Sequence, residues 1–361
     1  MESTGSYWKP VYNIFEALGL PIIVVNAQHM KAVPGRKTDV NDAEWIADLL
    51  QHGLLRPSYI PNRQQRELRE TLMLRKKCVQ DLAAMVNRIQ KVLEGANIKL
   101  GNSLSSIVGT SGRAFLQVLI NGEPIDEAKI DELRASKKIS GNLKASNAEL
   151  VENLTGVLSP EQRRNLKIML AIVDELILHI QELDENINDS MTEEQKKAVK
   201  AIKQVTGIGE TSARNIIAVT GTDMNRFPTD SHLASWGGLC PGNNESAGKR
   251  KTGKTRKGNS LLKSTIILCA HSAVNVKDSF FSARFHRISL RRGSKRAYVA
   301  IAHSMIKAIY HILKYGIEFK DLGADYYNQF NRERKCNHYL KKLQSLGYDV
   351  SAVDTISLPV T

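Results

Sequence analysis

The sequence predicts a mainly α-helical protein with a partial α/β segment at its N-terminus. Three observations carry that prediction. Two long stretches repeat apolar residues at heptad spacing, which is a helical period. The region from about Ala201 to Phe319 also reads as mostly helix. Against these, Leu20–Asn26 (LPIIVVN) is a short β-branched apolar run of the kind that forms a buried strand.

Taken in order, Leu20–Asn26 is followed by the turn signal Pro34-Gly35. Thr38-Asp39 then offers a cap for a helix reaching about Leu50, with Ile46, Leu49 and Leu50 on one face and Gly53 as its stop. From about Asn62 the first long helix begins. Leu72, Val79, Val86 and Leu93 form one seam; Leu68, Leu82 and Ile89 form a second, which Arg75 interrupts. The second long helix spans about Ser159–Asn188, with Leu166, Val173, Ile180 and Ile187 on one seam and Met169, Leu176 and Leu183 on the other. Heptads of this length suit a coiled coil, and equally a plain helical hairpin. Residues 101–157 are richer in Gly, Ser and Asn and read as an insertion of loops and short helices. The organisation predicted is therefore 1–62, 63–200 with its insertion, 201–320, and a helical tail over 321–361. In that tail Leu340, Leu343 and Leu346 stand at near-helical spacing, with Gly347 as a stop.

Composition narrows the function. At 361 residues and 42% hydrophobic, the chain has material for more than one core and is neither fibrous nor disordered. No apolar run has membrane-spanning length, and Met1–Pro10 lacks the pattern of a signal peptide. Four scattered cysteines, Cys78, Cys240, Cys269 and Cys336, have no metal or redox spacing. They suit small buried hydrophobes in a reducing cytoplasm. The net charge is +14, and Asn243–Ala300 holds fourteen bases against two acids, Glu245 and Asp278. A basic excess confined to one region points to a polyanion, DNA or RNA.

Three motifs carry candidate chemistry. In Lys37–Glu44, Asp39 and Asp42 stand three apart, so a helix places both carboxylates on one face. They suit a hard divalent ion such as Mg²⁺; they also suit helix capping and the helix dipole. The turn Gly207-Ile208-Gly209 feeds a helix starting near Thr211 and resembles a helix-hairpin-helix, in which backbone N–H groups approach phosphate. A tight interhelical turn without a ligand fits the same residues. Leu239–Asn259 reads as a flexible loop with Ser246 amid Lys249, Arg250, Lys251, Lys254, Arg256 and Lys257. A serine attacking DNA phosphorus needs such cations to offset charge on the transferring group. The histidines His271, His286, His303, His311 and His338 form no triad spacing.

Together these segments resemble the DEDD transposases of the IS110 family, RNA-guided serine recombinases of bacterial insertion sequences. The resemblance rests on Met1–Trp8, Arg36–Ala43, the Gly207-Ile208-Gly209 turn, the run from Phe227 through Leu233-Ala234-Ser235-Trp236 to Asn259, and Asp321–Tyr327. It implies a RuvC-like domain of ribonuclease H fold whose acids bind Mg²⁺, with Glu2, Asp39 and Asp42 at the last three of the four positions. It implies that Ser246 forms the covalent link to DNA, and that a bridge RNA pairs with donor and target DNA. It also implies dimers and a tetramer assembled through the coiled coil, with the two domains of different subunits sharing an active site. The family's first Asp lies on a strand ahead of the Glu, which here is residue 2. The expectation is an N-terminally truncated chain. The alternatives that follow are a catalytically inactive nucleic-acid-binding remnant and a metal-only nuclease that does not use Ser246.

Overall fold

A computed structural model describes residues 1–3, 5–25, 41–55, 57–141, 143–242, 244–246, 249–255, 258–329 and 332–349. Two compact units divide the chain, Met1–Arg66 and Glu67–Thr361. The protein is mainly helical, and the one named sheet among the described residues has two strands.

In the first unit, helix α1 spans Trp8–Ala17 and α2 spans Asn41–Gln51. Among the described residues of the predicted strand at 20–26, Val25 alone is bridged, to Glu2 in parallel and to Pro57 in antiparallel fashion, and Asn26 lies outside the described residues. Val25 N–H donates to Met1 O at 2.9 Å, and Ser3 N–H donates to Val25 O at 2.9 Å. Beside the Pro57 bridge, Ser58 N–H donates to Val24 O at 2.7 Å. Val25 and Leu49 are buried together, with Trp45, Ile46 and Leu55 packed on them. Gly53 ends α2 in the left-handed region at φ +65°, as expected of a stop. The cap expected at Thr38-Asp39 lies outside the described residues. Arg66 holds α1 by forking onto the Glu16 carboxylate and donating to Asn13 Oδ1 at 3.1 Å. That guanidinium holds the Glu16 carboxyl below its ordinary range.

The long helix α3, Arg63–Gly95, starts at Asn62, whose Oδ1 accepts from Gln65 N–H at 2.9 Å. Four short helices follow: α4 (Leu100–Ser103), α5 (Thr110–Asn121), α6 (Glu127–Ala135) and α7 (Asn147–Leu154). The second long helix, α8 (Pro160–Ser190), opens with a Ser159–Gln162 capping box and Pro at its start. The long helices run antiparallel. Ile89 and Leu93 share a core with Leu166 and Val173, Phe115 and the short helices, while Leu68 and Leu72 share the other core with Ile187. Between these ends the seams are only half-covered, and Val79 is 39% exposed. Arg75 breaks its apolar seam because it forks onto Asp184 with two bonds of 2.7 Å.

The larger core gathers α9 (Glu193–Ile202), α10 (Glu210–Thr220), α11 (Asp230–Trp236), α12 (Ser260–Val274), α13 (Phe280–Arg292) and α14 (Ser294–Tyr315). Helix α14 is its centre, burying Ala297, Ile301, Ala302, Met305, Ile306 and Ile309. Buried Tyr310 donates its hydroxyl to Phe227 O at 3.0 Å. Arg69 of α3 donates to the carbonyls of Ala218 and Val219 at the C-terminal end of α10, where a cation meets the helix dipole. The tail carries α15 (Tyr326–Gln329) and α16 (Arg332–Ser345), with Gly347 at φ +87° after it. Of the four cysteines only Cys269 is fully buried, and burial pushes its thiol pKa up. Cys78 and Cys240 are half-buried and Cys336 is exposed, so the expectation of buried thiols holds for one.

Gly207 sits at φ +87°, and a Cβ there would lie 2.5 Å from Ala273 N on α12. Gly209 caps α10 with open space around it. Gly207→Ala should therefore lower stability by about 1–3 kcal/mol, and Gly209→Ala by less than about 1 kcal/mol. Urea unfolding followed by circular dichroism measures both; equal losses would contradict the packing role of Gly207.

Candidate active site

The stretch expected to be a flexible loop is built as a β-hairpin. It leaves α11 through Trp236-Gly237-Gly238 and returns through Gly258 to Asn259, which caps α12 by accepting from Leu262 N–H at 3.0 Å. At its base Pro241 bridges Thr255, and Gly242 N–H donates to Lys254 O at 2.8 Å. Strand β1, Asn244–Ser246, then pairs antiparallel with β2, Lys249–Thr252. Ser246 is opposite Lys249, so the serine is the last residue of β1 and faces the first of β2. Glu245 faces Arg250 in register and Asn244 faces Thr252, which leaves Lys251 as the extra residue of a bulge. Ser246 is thus held at the far end of the hairpin, with Lys249, Arg250 and Lys251 on the returning strand.

Two glycine backbones set where this hairpin stands. A Cβ on Gly258 would lie 2.4 Å from Gly238 N and 2.6 Å from Gly238 Cα. No side chain fits there, so both ends of the hairpin meet in direct backbone contact. Lys263 Nζ adds a 2.6 Å bond to Thr255 Oγ1 from α12.

The remaining sequence candidates fall in several places. Glu2 sits on the backbone bridged to Val25, and Asp42 is the second residue of α2. Asp39, Arg256 and Lys257 lie outside the described residues, so the shared face expected of Asp39 and Asp42 does too. Among the described residues no three acids, histidines or cysteines gather as a metal site. Gly207 and Gly209 form the turn between α9 and α10, Gly207 packed on α12 and Gly209 exposed. Glu210 fills the first turn of α10 and pairs with Lys203 and with Arg214 at 3.3 Å. Lys203 holds the Glu210 carboxyl below its ordinary range. Lys254 is exposed.

Two carboxylates escaped the sequence reading. Asp321 accepts from Thr206 Oγ1 at 3.0 Å, Phe280 N–H at 2.8 Å and Gly323 N–H at 2.8 Å. It ties the glycine turn, the start of α13 and the tail to one another. The only signal was its place in the Asp321–Tyr327 segment. Asp230, in acid-poor surroundings, pairs with Lys307 at 3.0 Å and His311 Nε2 at 3.3 Å. Burial pushes its pKa up, but bonds from Lys307 and Ser231 outweigh that and leave it lowered. Nearby, burial first and then Lys307 and Arg284 push His303 down, against Asp230.

A DEDD family model of IS110 transposases matches residues 1–98, and a model described as Transposase IS116/IS110/IS902 family matches residues 199–286. The second match holds the glycine turn and the whole serine-bearing hairpin. The chain belongs to the IS110 family of transposases. It is a transposase of an insertion sequence, a DNA-recombining enzyme by family, and DNA is its partner by the same token. The DEDD name of the first domain denotes acids of the kind that take a divalent metal. No curated protein matches this transposase. Among the described residues no helix is long and apolar enough to cross a membrane.

Gly258→Ala should push the hairpin off Gly238. The expected result is tryptic cleavage within Lys249–Lys257 at least tenfold faster, in a fold still cooperative by thermal melting. Unchanged cleavage would remove the glycine contact as the hairpin's anchor. Asp230 has a depressed folded pKa, so its stabilisation is present above its ordinary 3.8 and is lost as pH falls through the lower folded value. Asp230→Asn should melt lower than the parent at about pH 7, and the gap should narrow as the pH is taken below 3.8. A gap that stays constant over that fall would contradict this assignment.

Proposed function

We propose that this transposase cuts and rejoins DNA through Ser246. The observation that carries the reading is the hairpin, which fixes one serine at its end beside a strand of three consecutive bases. In the step proposed, the Ser246 Oγ–P bond forms, one P–O bond of the phosphodiester breaks, and the released sugar oxygen takes the proton. A hydroxyl of the second strand reverses the step and frees the serine, so no external energy source is consumed. The bases Lys249, Arg250, Lys251, Lys254, Arg256 and Lys257 offset charge on the phosphoryl group and hold the backbone.

Glu2, Asp39 and Asp42 are the acids we assign to Mg²⁺. All three are carboxylates, the hard oxygen donors this ion takes, and Glu2 and Asp42 belong to the same small unit. When bound, the ion supplies positive charge at a phosphate oxygen. On this reading Met1–Arg66 is part of a RuvC-like domain, the α9–α10 turn acts as a helix-hairpin-helix on phosphate, and the antiparallel long helices provide a coiled coil for self-assembly. A guide RNA supplies sequence choice by pairing.

Ser246→Ala should abolish the covalent protein–DNA adduct trapped on a labelled DNA substrate, while binding of that DNA stays within about threefold. Adduct yield equal to the parent would remove Ser246 from the mechanism. Asp42→Asn should lower adduct yield and remove its response to added Mg²⁺. An undiminished response would remove Asp42 from the metal site.

A further inference from the structure

Helices α13 and α14 carry a feature that the serine reading does not use. From Ser279 to Ile317 there are eight bases and no acid. Arg284, Arg287 and Arg291 stand at i, i+3 and i+7 on α13, which is one face of the helix. Among the described residues none of the three pairs with a carboxylate. Two acids near this region are engaged by other groups: Asp230 by Lys307 and His311, Asp321 by backbone N–H groups and Thr206.

The stripe is interleaved with aromatic rings. The guanidinium of Arg284 lies over Phe280 at 5.9 Å, and that of Arg287 over Tyr327 at 5.0 Å. Tyr327 stacks on Phe280 at 5.4 Å with an 18° interplanar angle. Where the stripe begins, a cavity of about 350 Å³ opens, walled by Phe280, Phe281 and Phe319 and ringed by Arg284, Lys307 and Lys320. That size is at the small end of ligand pockets.

We propose that this stripe and pocket form a track for one unpaired strand of nucleic acid, with phosphates on Arg284, Arg287 and Arg291 and one unstacked nucleotide in the pocket. Arg284 and Arg291 are about 10 Å apart along the helix, a span that takes more than one phosphate of a strand. Aromatic walls stack a base whatever its identity. A duplex keeps its bases inside the stack and offers none to the pocket. The track uses none of the bases on the hairpin strand Lys249–Thr252, and all of it from Arg287 on lies beyond the matched family segment. The inference rests on the nucleic-acid reading of the basic region given above, and it does not depend on Ser246.

The test is fluorescence anisotropy of the full chain with labelled twelve-nucleotide DNA and RNA strands and the matching DNA duplex, across salt. The triple variant Arg284→Gln, Arg287→Gln, Arg291→Gln keeps good helix formers on the surface. It should bind single strands at least tenfold more weakly, with a log–log salt slope shallower by about 2. Duplex affinity should change less than threefold. A strand carrying 2-aminopurine should be quenched on binding, and Lys320→Glu or the pocket-filling Ala308→Phe should remove that quenching. Tighter binding of RNA assigns the track to a guide strand, and tighter binding of DNA assigns it to a substrate strand; both uphold the proposal. Unchanged single-strand affinity in the triple variant, or a duplex loss as large as the single-strand loss, overturns it. Absent affinity for any nucleic acid in the parent chain would instead overturn the broader reading.

Discussion

The contact on which the site depends is between two backbones. Gly258 and Gly238 approach so closely that a methyl group on Gly258 would overlap main-chain atoms. Because nothing soft lies between them, the two ends of the hairpin are referred directly to the ends of α11 and α12. Those helices are fixed in turn by the buried face of α14. The position of Ser246 thus follows from a chain of tight contacts beginning in an apolar core. The bulge at Lys251 then alters the local twist near the hairpin's end.

Polar groups fix what apolar packing leaves free. Apolar contact is non-directional, so helices on a common core still slide and rotate. Arg69 on the last carbonyls of α10, Arg75 on Asp184, and Asp321 on three donors each remove such a freedom. Asp321 joins segments more than a hundred residues apart in sequence, Thr206 and the tail. Each of these interactions is half-buried, where a charge-assisted bond is stronger than at the surface.

Charge is distributed by a different rule. The long helices carry mixed signs and pair them, while α13, α14 and the returning strand of the hairpin are nearly without acids. Unbalanced positive charge on neighbouring helices repels itself and costs stability. A polyanion relieves that repulsion, so the surface that is least comfortable alone is the one best suited to nucleic acid. The family assignment and the electrostatics arrive at the same partner independently.

Much of the helical framework was legible in the sequence because its signals are local. The starts of the long helices near Asn62 and Ser159, the glycine stops at Gly53 and Gly347, and the heptads of the two long helices depend on residues within a turn or two of each other. The basic window and Ser246 were legible as composition and as motif. Other features depended on partners far away in the chain. A strand at Leu20–Asn26 needed partners from distant segments, and among its described residues only Val25 is bridged, to Glu2 and to Pro57. Arg75 looked like a fault in a seam until Asp184 stood opposite. The segment around Ser246 looked flexible because Gly, Lys and Asn dominate it, yet cross-strand pairing and one glycine contact give it a register. Sequence by itself determined where helices form and where charge collects, since both are set by near neighbours and by counting. Tertiary structure alone decided where the serine-bearing strand is anchored and which rings wall the aromatic pocket, since those depend on contacts that no local period encodes.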